Sequence, residues 1–228
     1  MILPTAMLYL VPTPIGNLED ISLRALRTLK EVDLILAEDT RVSKRLLQHY
    51  EINTPMQAYH AHNEHHKTEK IVEELLSGKR IALISDAGSP AISDPGFLLV
   101  RACLEAGIEV QSLPGPTAFV PALTASGLPS DRFHFEGFLP HKKGRKKRLE
   151  YLASLPHTFI LYESPHRIQR CIKELNEYCG PERPACLARE LSKIHEEYLR
   201  GTLADLAEVV GGERKIKGEI VVVVGGRG

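Results

Sequence analysis

Residues 85–96 constrain the fold of this chain more than any other stretch. They read Ser-Asp-Ala-Gly-Ser-Pro-Ala-Ile-Ser-Asp-Pro-Gly and join an apolar run, residues 81–84, to a helical pattern over 97–106. Such a loop between a buried strand and a helix is where α/β proteins place ligands. The alternative is a strand-to-helix turn without a ligand, although most such turns are much shorter. Gly88 lets the backbone approach a ligand closely, and Asp94-Pro95 predicts a helix cap followed by a first-turn proline.

Apolar strand patterns alternate with amphipathic helical patterns through the first half of the chain. The strand patterns cover residues 8–11, 33–37, 56–60, 80–85 and 109–113. Parallel strands need crossover connections, so this alternation predicts a mostly parallel sheet covered by helices. Three of the strands end in loops rich in proline and glycine, residues 12–17, 86–96 and 114–117. In such a sheet these loops share the carboxyl edge, where ligands bind.

The sequence texture changes after residue 118 or so. Residues 133–138 alternate with period two, which is typical of an antiparallel strand. Further strand patterns cover 158–162, 184–190, 195–201 and 219–224, and a helical pattern over 166–178 follows Ser164 and Pro165 as cap and first turn. We therefore expect an α/β protein of two domains, residues 1–118 with a mostly parallel sheet and 119–228 with a mixed sheet.

The formal net charge of the 228 residues is +0, so any nucleic-acid partner must be met by a local patch. One basic run provides it, with six positive residues among seven: Lys142, Lys143, Arg145, Lys146, Lys147 and Arg148. Basic residues at a helix start oppose the helix dipole, so another role should favour them. Binding of phosphate is that role, and a solvated helix start is the alternative.

Several other classes of protein are disfavoured. The Walker lysine motif is absent. A Gly-x-Gly-x-x-Gly motif after the first strand is absent as well, which argues against a dinucleotide fold and the commoner Rossmann-type methyltransferases. The four cysteines show no Cys-x-x-Cys spacing and predict reduced, mostly buried thiols. His60, His62, His65 and His66 predict a solvated loop and helix start rather than a metal site. The apolar residues 1–11 lack a basic region and contain Pro4, so they do not predict a signal peptide.

Charged clusters stand at the predicted ends of strands from both domains. Glu38 and Asp39 precede Arg41, Glu163 precedes His166 and Arg167, and Arg189 precedes Glu190. Each cluster alone is more often an ion pair than a catalytic group. Together they predict the lining of a cleft between the domains.

Five segments together resemble the tetrapyrrole-methylase-like, or class III, methyltransferases over nearly the whole chain. They are residues 10–18, 37–41, 85–96, 114–117 and 162–167. The resemblance extends to the branch that methylates ribosomal RNA, and residues 85–96 stand where the corrin and porphyrin methylases have a Gly-Asp-Pro loop. It implies a two-domain αβα fold, S-adenosyl-L-methionine as donor in the cleft between the domains, and a cytoplasmic homodimer. It also implies the 2'-hydroxyl of a cytidine in the decoding region of 16S rRNA, in the small ribosomal subunit, as acceptor.

The resemblance and the loop positions give candidate site residues. The expected donor contacts are Pro12, Asp86, Ala87, Gly88, Ser89, Ile92, Asp94, Pro114, Gly115, Thr117, Ala118, Leu161, Tyr162 and Gly218. The candidate proton acceptors are Glu163, Asp39 and Glu38, among which the sequence does not choose. The expected RNA contacts are Arg41, His166, Arg167 and the six residues of the basic run. No metal site and no membrane contact are expected.

Two other functions compete with ribosomal RNA methylation. A corrin or porphyrin C-methyltransferase would share the fold, but a tetrapyrrole carboxylate does not need six positive charges. A non-catalytic RNA-binding protein of the same fold would not need three stiff loops at one edge. Binding of S-adenosylmethionine separates the last alternative from the two enzymes.

Overall fold

Two five-stranded sheets organise the protein. The computed structural model describes residues 6–227, so residues 1–5 of the N-terminal apolar stretch lie outside the described part. The chain divides between Thr117 and Ala118 into an N-terminal and a C-terminal unit.

The sheet of the N-terminal unit is entirely parallel, with strand order β3-β2-β4-β1-β5. Its elements are β1 (Met7–Leu10), α1 (Leu23–Glu31), β2 (Leu34–Ala37), α2 (Thr40–His49), β3 (Met56–Ala58), α3 (Glu64–Leu76), β4 (Arg80–Ile84), α4 (Phe97–Glu105) and β5 (Glu109–Ser112). Successive residues of β4 pack into hydrophobic cores on opposite faces of the sheet. Ala82 packs in the core that contains Leu29 of α1, and Leu83 packs in the core that contains Leu75 of α3. Helices therefore cover both faces, as the alternation of patterns predicts.

The sheet of the C-terminal unit is mixed, which confirms the expected fold class, and its strand order is β6-β7-β10-β8-β9. Its elements are α5 (Phe119–Thr124), β6 (Phe133–Phe138), α6 (Arg145–Ser154), β7 (Thr158–Glu163), α7 (Ile168–Cys179), β8 (Pro184–Arg189), β9 (Glu197–Thr202), α8 (Leu203–Gly211) and β10 (Ile220–Val224). Helices α6, α7 and α8 pack on one face through Leu152, Ile172 and Leu206.

The antiparallel prediction for residues 133–138 is wrong. β6 pairs parallel with β7, and α6 supplies the crossover between them. Period-two alternation indicates only that the two faces of a strand differ in exposure. An edge strand shows this pattern whether it pairs parallel or antiparallel.

Two of the predicted helix starts are also wrong. The N-cap of α4 is Gly96 rather than Asp94, and the N-cap of α7 is Arg167 rather than Ser164. Helix α4 starts later because Gly96 has a non-helical φ of 145°, and within the preceding loop Ala91 and Ser93 have left-handed φ angles of 66° and 64°. Such angles are costly for residues with a side chain and occur mainly at functional loops.

Position 96 requires glycine both for its backbone conformation and because neighbouring side chains leave no room for a Cβ. Its φ is 145°, and a Cβ there would lie 2.9 Å from Leu83 Cδ2 and 3.1 Å from Ala91 Cβ. A side chain would therefore push the start of α4 away from β4.

Among residues 6–227, no helix combines the length and the apolar composition that crossing a bilayer requires. The four cysteines carry free thiols, and Cys103, Cys171 and Cys186 are buried.

The substitution Gly96→Ala should lower the free energy of unfolding by about 3 kcal/mol, through backbone strain and overpacking together. Gly107→Ala is the matched control, because Gly107 also has a left-handed φ of 73° but open space at the Cβ position. The control should lose only about 1 kcal/mol. Urea unfolding measures both values, and equal losses would show that the proximity of Leu83 is unimportant.

Candidate active site

The three loops predicted to share the carboxyl edge of the N-terminal sheet are joined there by hydrogen bonds. Thr13 and Gly88 exchange backbone bonds, N–H to carbonyl in both directions, each 2.9 Å long. The buried Thr13 hydroxyl donates to the carbonyl of Ser85 over 3.0 Å. The first loop is thus attached to the second at three points.

The third loop is attached to the other two. Ser89 Oγ donates to the carbonyl of Pro116 over 3.0 Å. Gly115 lies so close to Pro12 that a Cβ would stand 2.7 Å from the proline Cβ. Gly88 is needed mainly for its φ of 82°, since its Cβ position has ordinary contacts. We call the hydrogen-bonded meeting point of residues 12–13, 85–89 and 115–116 the loop junction.

Three carboxyl groups lie in or beside the loop junction. Glu38 follows β2, whereas Asp86 and Asp94 belong to the loop after the neighbouring strand β4. Asp86 Oδ1 accepts a hydrogen bond from the backbone N–H of Asp39 over 2.9 Å, which ties the two strand ends together. Burial, with the charges of Glu38 and Asp86, raises the pKa of Asp94 to about 7. Burial, with the charge of Asp86, also raises the pKa of Glu38.

Asp39 has a different environment from these three groups. Its carboxylate forms two bonds with the exposed Arg41 guanidinium, 2.6 and 3.0 Å long. Its hydrogen bonds with Arg41 hold the pKa of Asp39 well below its usual range. Asp39 also caps α2, because its carboxylate accepts a hydrogen bond from the backbone N–H of Arg41. The carboxylate is therefore ionised, and its oxygens already bind Arg41.

The other expected donor contacts of the N-terminal unit differ in exposure. Pro12 is buried, Ala87 and Thr117 are half-buried, and Ile92 and Pro114 are exposed. In the C-terminal unit Ala118 is the N-cap of α5 and Tyr162 is half-buried. Leu161 has its side chain in the core beneath α7, and only its backbone remains for a ligand. At Gly218, whose φ is 87°, the Glu190 carboxyl group occupies the space of a Cβ.

Glu163 is enclosed in the C-terminal unit. Its side chain has 0% exposure and pairs with Arg167 over 2.6 Å. Its Oε1 also accepts from the backbone N–H of Ser164 over 2.8 Å. Arg167 in turn donates to the carbonyl of Leu139 over 3.4 Å, so this pair anchors chain segments rather than facing solvent.

The basic run separates into one buried arginine and five exposed residues, and buried Arg145 does not belong to the predicted RNA surface. Arg145 is buried, pairs with Glu174 over 2.6 Å and donates to the carbonyl of Pro140 over 3.0 Å. Arg148 is 44% exposed and binds the Glu136 carboxylate. The exposed lysines of the run are Lys142, Lys143, Lys146 and Lys147, which we call the lysine cluster. His166 is exposed as well.

Sequence reasoning missed Thr13 and Ser85 as site residues. Both are buried polar residues whose hydroxyl groups bond within the loop junction. The sequence signal for Thr13 was its position between two prolines directly after an apolar strand, where a buried hydroxyl needs a partner. Within the described part of the chain, no group of three histidine, cysteine, aspartate or glutamate side chains is arranged to hold a metal ion.

The raised pKa of Asp94 makes stability depend on pH. The folded protein binds this proton more tightly than the unfolded chain, so stability is largest below the usual pKa of 3.8 and is lost as pH rises towards 7. Asp94→Asn removes this loss. Because solvent partly screens the group, the variant should gain about 1–2 kcal/mol relative to the native protein between pH 4 and pH 8.

Urea unfolding at several pH values measures this gain. Asp131→Asn, which replaces an exposed aspartate outside the loop junction, is the control. A pH-independent difference for Asp94→Asn would show that Asp94 titrates normally.

Curated relatives resemble almost the whole chain. The family model described as Tetrapyrrole (Corrin/Porphyrin) Methylases matches residues 7–207. Ribosomal RNA small subunit methyltransferase I of Xylella fastidiosa is 53% identical over 221 residues, which cover 96% of this chain and 81% of that protein. The protein of the same name from Synechocystis is 51% identical, covering 96% of this chain and 79% of that protein.

Solved structures share the fold at low sequence identity. The methyltransferase CobJ aligns with a TM-score of 0.72 and 21% identity, covering 96% of this chain and 94% of that chain. Uroporphyrin-III C-methyltransferase from Thermus thermophilus, solved with S-adenosyl homocysteine, aligns with a TM-score of 0.67 and 22% identity over 96% of this chain and 97% of that chain.

Proposed function

This chain belongs to the ribosomal RNA small subunit methyltransferase I family of the tetrapyrrole methylases, and we propose that it methylates 16S rRNA with S-adenosylmethionine. The finer proposal is transfer to the 2'-hydroxyl of a cytidine in the decoding region. The observation that carries the proposal is the loop junction with three carboxyl groups beside it, in a chain about half identical to the named relatives.

The residues at the loop junction fit the donor. S-adenosylmethionine supplies a methyl group on a positively charged sulfur. Glu38, Asp86 and Asp94 place negative charge at the same edge, and a cation beside them lowers the cost of ionising Asp94. The stiff backbone around Gly88 and Ser89 offers amide and carbonyl groups for the polar parts of the donor, and exposed Ile92 offers an apolar surface. Placement of the donor between the two domains stays a prediction.

Glu38 suits the role of proton acceptor better than the other two candidates. A general base works best when its pKa lies near the working pH. The pKa of Glu38 is raised, whereas that of Asp39 is lowered by Arg41. Glu163 is enclosed and paired with Arg167, which suits a positioning role. Glu38 is half-buried and follows β2 at the edge that holds the donor in this proposal.

The lysine cluster supports an RNA substrate. Four ammonium groups in six residues match the spacing of a phosphate backbone better than they match one small anion. This observation favours RNA over a tetrapyrrole, the substrate class named in the solved relatives. A cytoplasmic location and a homodimeric state, which the resemblance implies, are part of the proposal.

Glu38→Gln should lower single-turnover methylation of 16S rRNA by about 10²–10³-fold, because the hydroxyl loses its proton acceptor. The affinity for S-adenosylmethionine should fall much less than the rate, because Asp86 and Asp94 still place negative charge at this edge and the amide preserves the shape of the side chain. Transfer of labelled methyl groups to naked 16S rRNA and to assembled small subunits, followed by mapping of the modified nucleotide, measures the rate and the product.

Two further variants serve as controls. Asp39→Asn should keep most of the rate, and Glu163→Gln should lower the melting temperature together with the rate, because it breaks the pair with Arg167. A full rate in Glu38→Gln would exclude Glu38 as the base. Absence of methyl transfer by the native protein to either substrate would contradict the proposed function itself.

A further inference from the structure

A bulge in β6 changes the face on which the last side chain of this strand lies. The register of β6 against β7 shifts between Phe135 and Gly137, and Phe138 pairs with Tyr162. Gly137 has a left-handed φ of 70°, for which bulges favour glycine. In a regular strand, residues 135 and 138 would lie on opposite faces. The extra residue, Glu136, brings Phe138 onto the face that carries Phe135.

The bulge completes a row of aromatic rings, which we call the aromatic row. Its successive ring centroids are separated by 6.1 Å for Phe133–Phe119, 4.8 Å for Phe119–Phe135, 5.1 Å for Phe135–Tyr162 and 5.7 Å for Tyr162–Phe138. The ends of the row are the most exposed, with 43% for Phe133 and 52% for Phe138. Contiguous exposed apolar surface of this kind marks a binding site more often than single exposed residues do.

The exposed end at Phe138 adjoins the lysine cluster. Lys142 follows Phe138 by four residues. Buried Arg145 fixes the intervening segment by its bond of 3.0 Å to the carbonyl of Pro140. Arg148 of α6 binds Glu136 within the bulge itself. Bonds of Arg145 and Arg148 therefore fix the chain segment that carries both the exposed ring and the exposed lysines.

We propose that Phe138 stacks against an unpaired base of the RNA while the lysine cluster binds the adjoining phosphates. The inference rests on the proposed function, because it takes 16S rRNA as the ligand. Proteins read RNA mainly at unstacked bases, which they place on aromatic rings beside positive charge. Tyr162 meets Phe138 edge on, at 62°, which supports the ring and leaves a face of Phe138 for the base.

Charge argues for RNA rather than for a second copy of the chain on this surface. A symmetric contact through the aromatic row would bring the same patch of both copies together. The lysine clusters would then approach each other, and like charges across an interface are unfavourable.

The test compares variants in binding to purified 16S rRNA over a range of salt concentrations. Phe138→Ala should weaken binding by about 10- to 100-fold, the range typical of removing one base–ring stack. The slope of log affinity against log salt should not change, because a ring releases no counterions. Replacement of the four lysines by alanine should instead reduce that slope by about 0.7 for each phosphate that the variant no longer binds. Phe138→Tyr should keep the native affinity.

Phe97→Ala is the matched control, since Phe97 is 64% exposed but belongs to the N-terminal unit. This variant should bind RNA with native affinity.

Native RNA affinity in Phe138→Ala would overturn the inference. A loss of affinity for S-adenosylmethionine would assign the ring to the donor, and a change of mass in light scattering would assign it to self-association; either result would also overturn it. If the native protein fails to bind 16S rRNA, the proposed function is contradicted. Native binding with an unchanged Phe138→Ala variant contradicts only the aromatic stack.

Discussion

The pair of backbone hydrogen bonds between Thr13 and Gly88 is the interaction on which the site depends. Parallel strands β1 and β4 bring the two loops to one edge of the sheet. The pair of backbone bonds and the bond from the Thr13 hydroxyl to the Ser85 carbonyl then hold the two loops rigidly together. A buried carbonyl or hydroxyl without a partner would cost about 1–3 kcal/mol, so these bonds resist opening. The loop junction therefore holds its shape before any donor binds, which reduces the entropy cost of binding.

The same rigidity explains how acidic groups remain close together. Asp86 is held by the backbone of Asp39, and Asp94 is carried inward by a loop with left-handed residues at 91 and 93. Burial, together with the nearby carboxyl groups, raises the pKa of Asp94 and Glu38, and a cationic donor at this edge would lower the cost of ionising them. In the C-terminal unit, buried Arg145 fixes the segment before the exposed lysines, and buried Glu163 pairs with Arg167.

Much of this arrangement is predictable from sequence. Apolar runs followed by proline-rich loops predict the parallel sheet and its ligand edge, because such patterns reflect local geometry. Other features depend on tertiary contacts. The direction of β6 is set by α6 and not by its alternation, and α4 starts only after Gly96 because the φ of Gly96, 145°, is not helical. The sequence does not show that Arg145 is buried whereas the neighbouring lysines are exposed. Its burial becomes evident only from its bonds to Glu174 and to the carbonyl of Pro140.

The central claim is that the loop junction binds the donor, and calorimetry of S-adenosylmethionine binding to Thr13→Val tests it most directly. Valine has nearly the shape of threonine but cannot donate to the Ser85 carbonyl. We expect donor affinity to fall by about 10-fold, equivalent to about 1.4 kcal/mol, while the variant stays folded. Native affinity in a folded Thr13→Val protein would contradict the account and place the donor away from these loops.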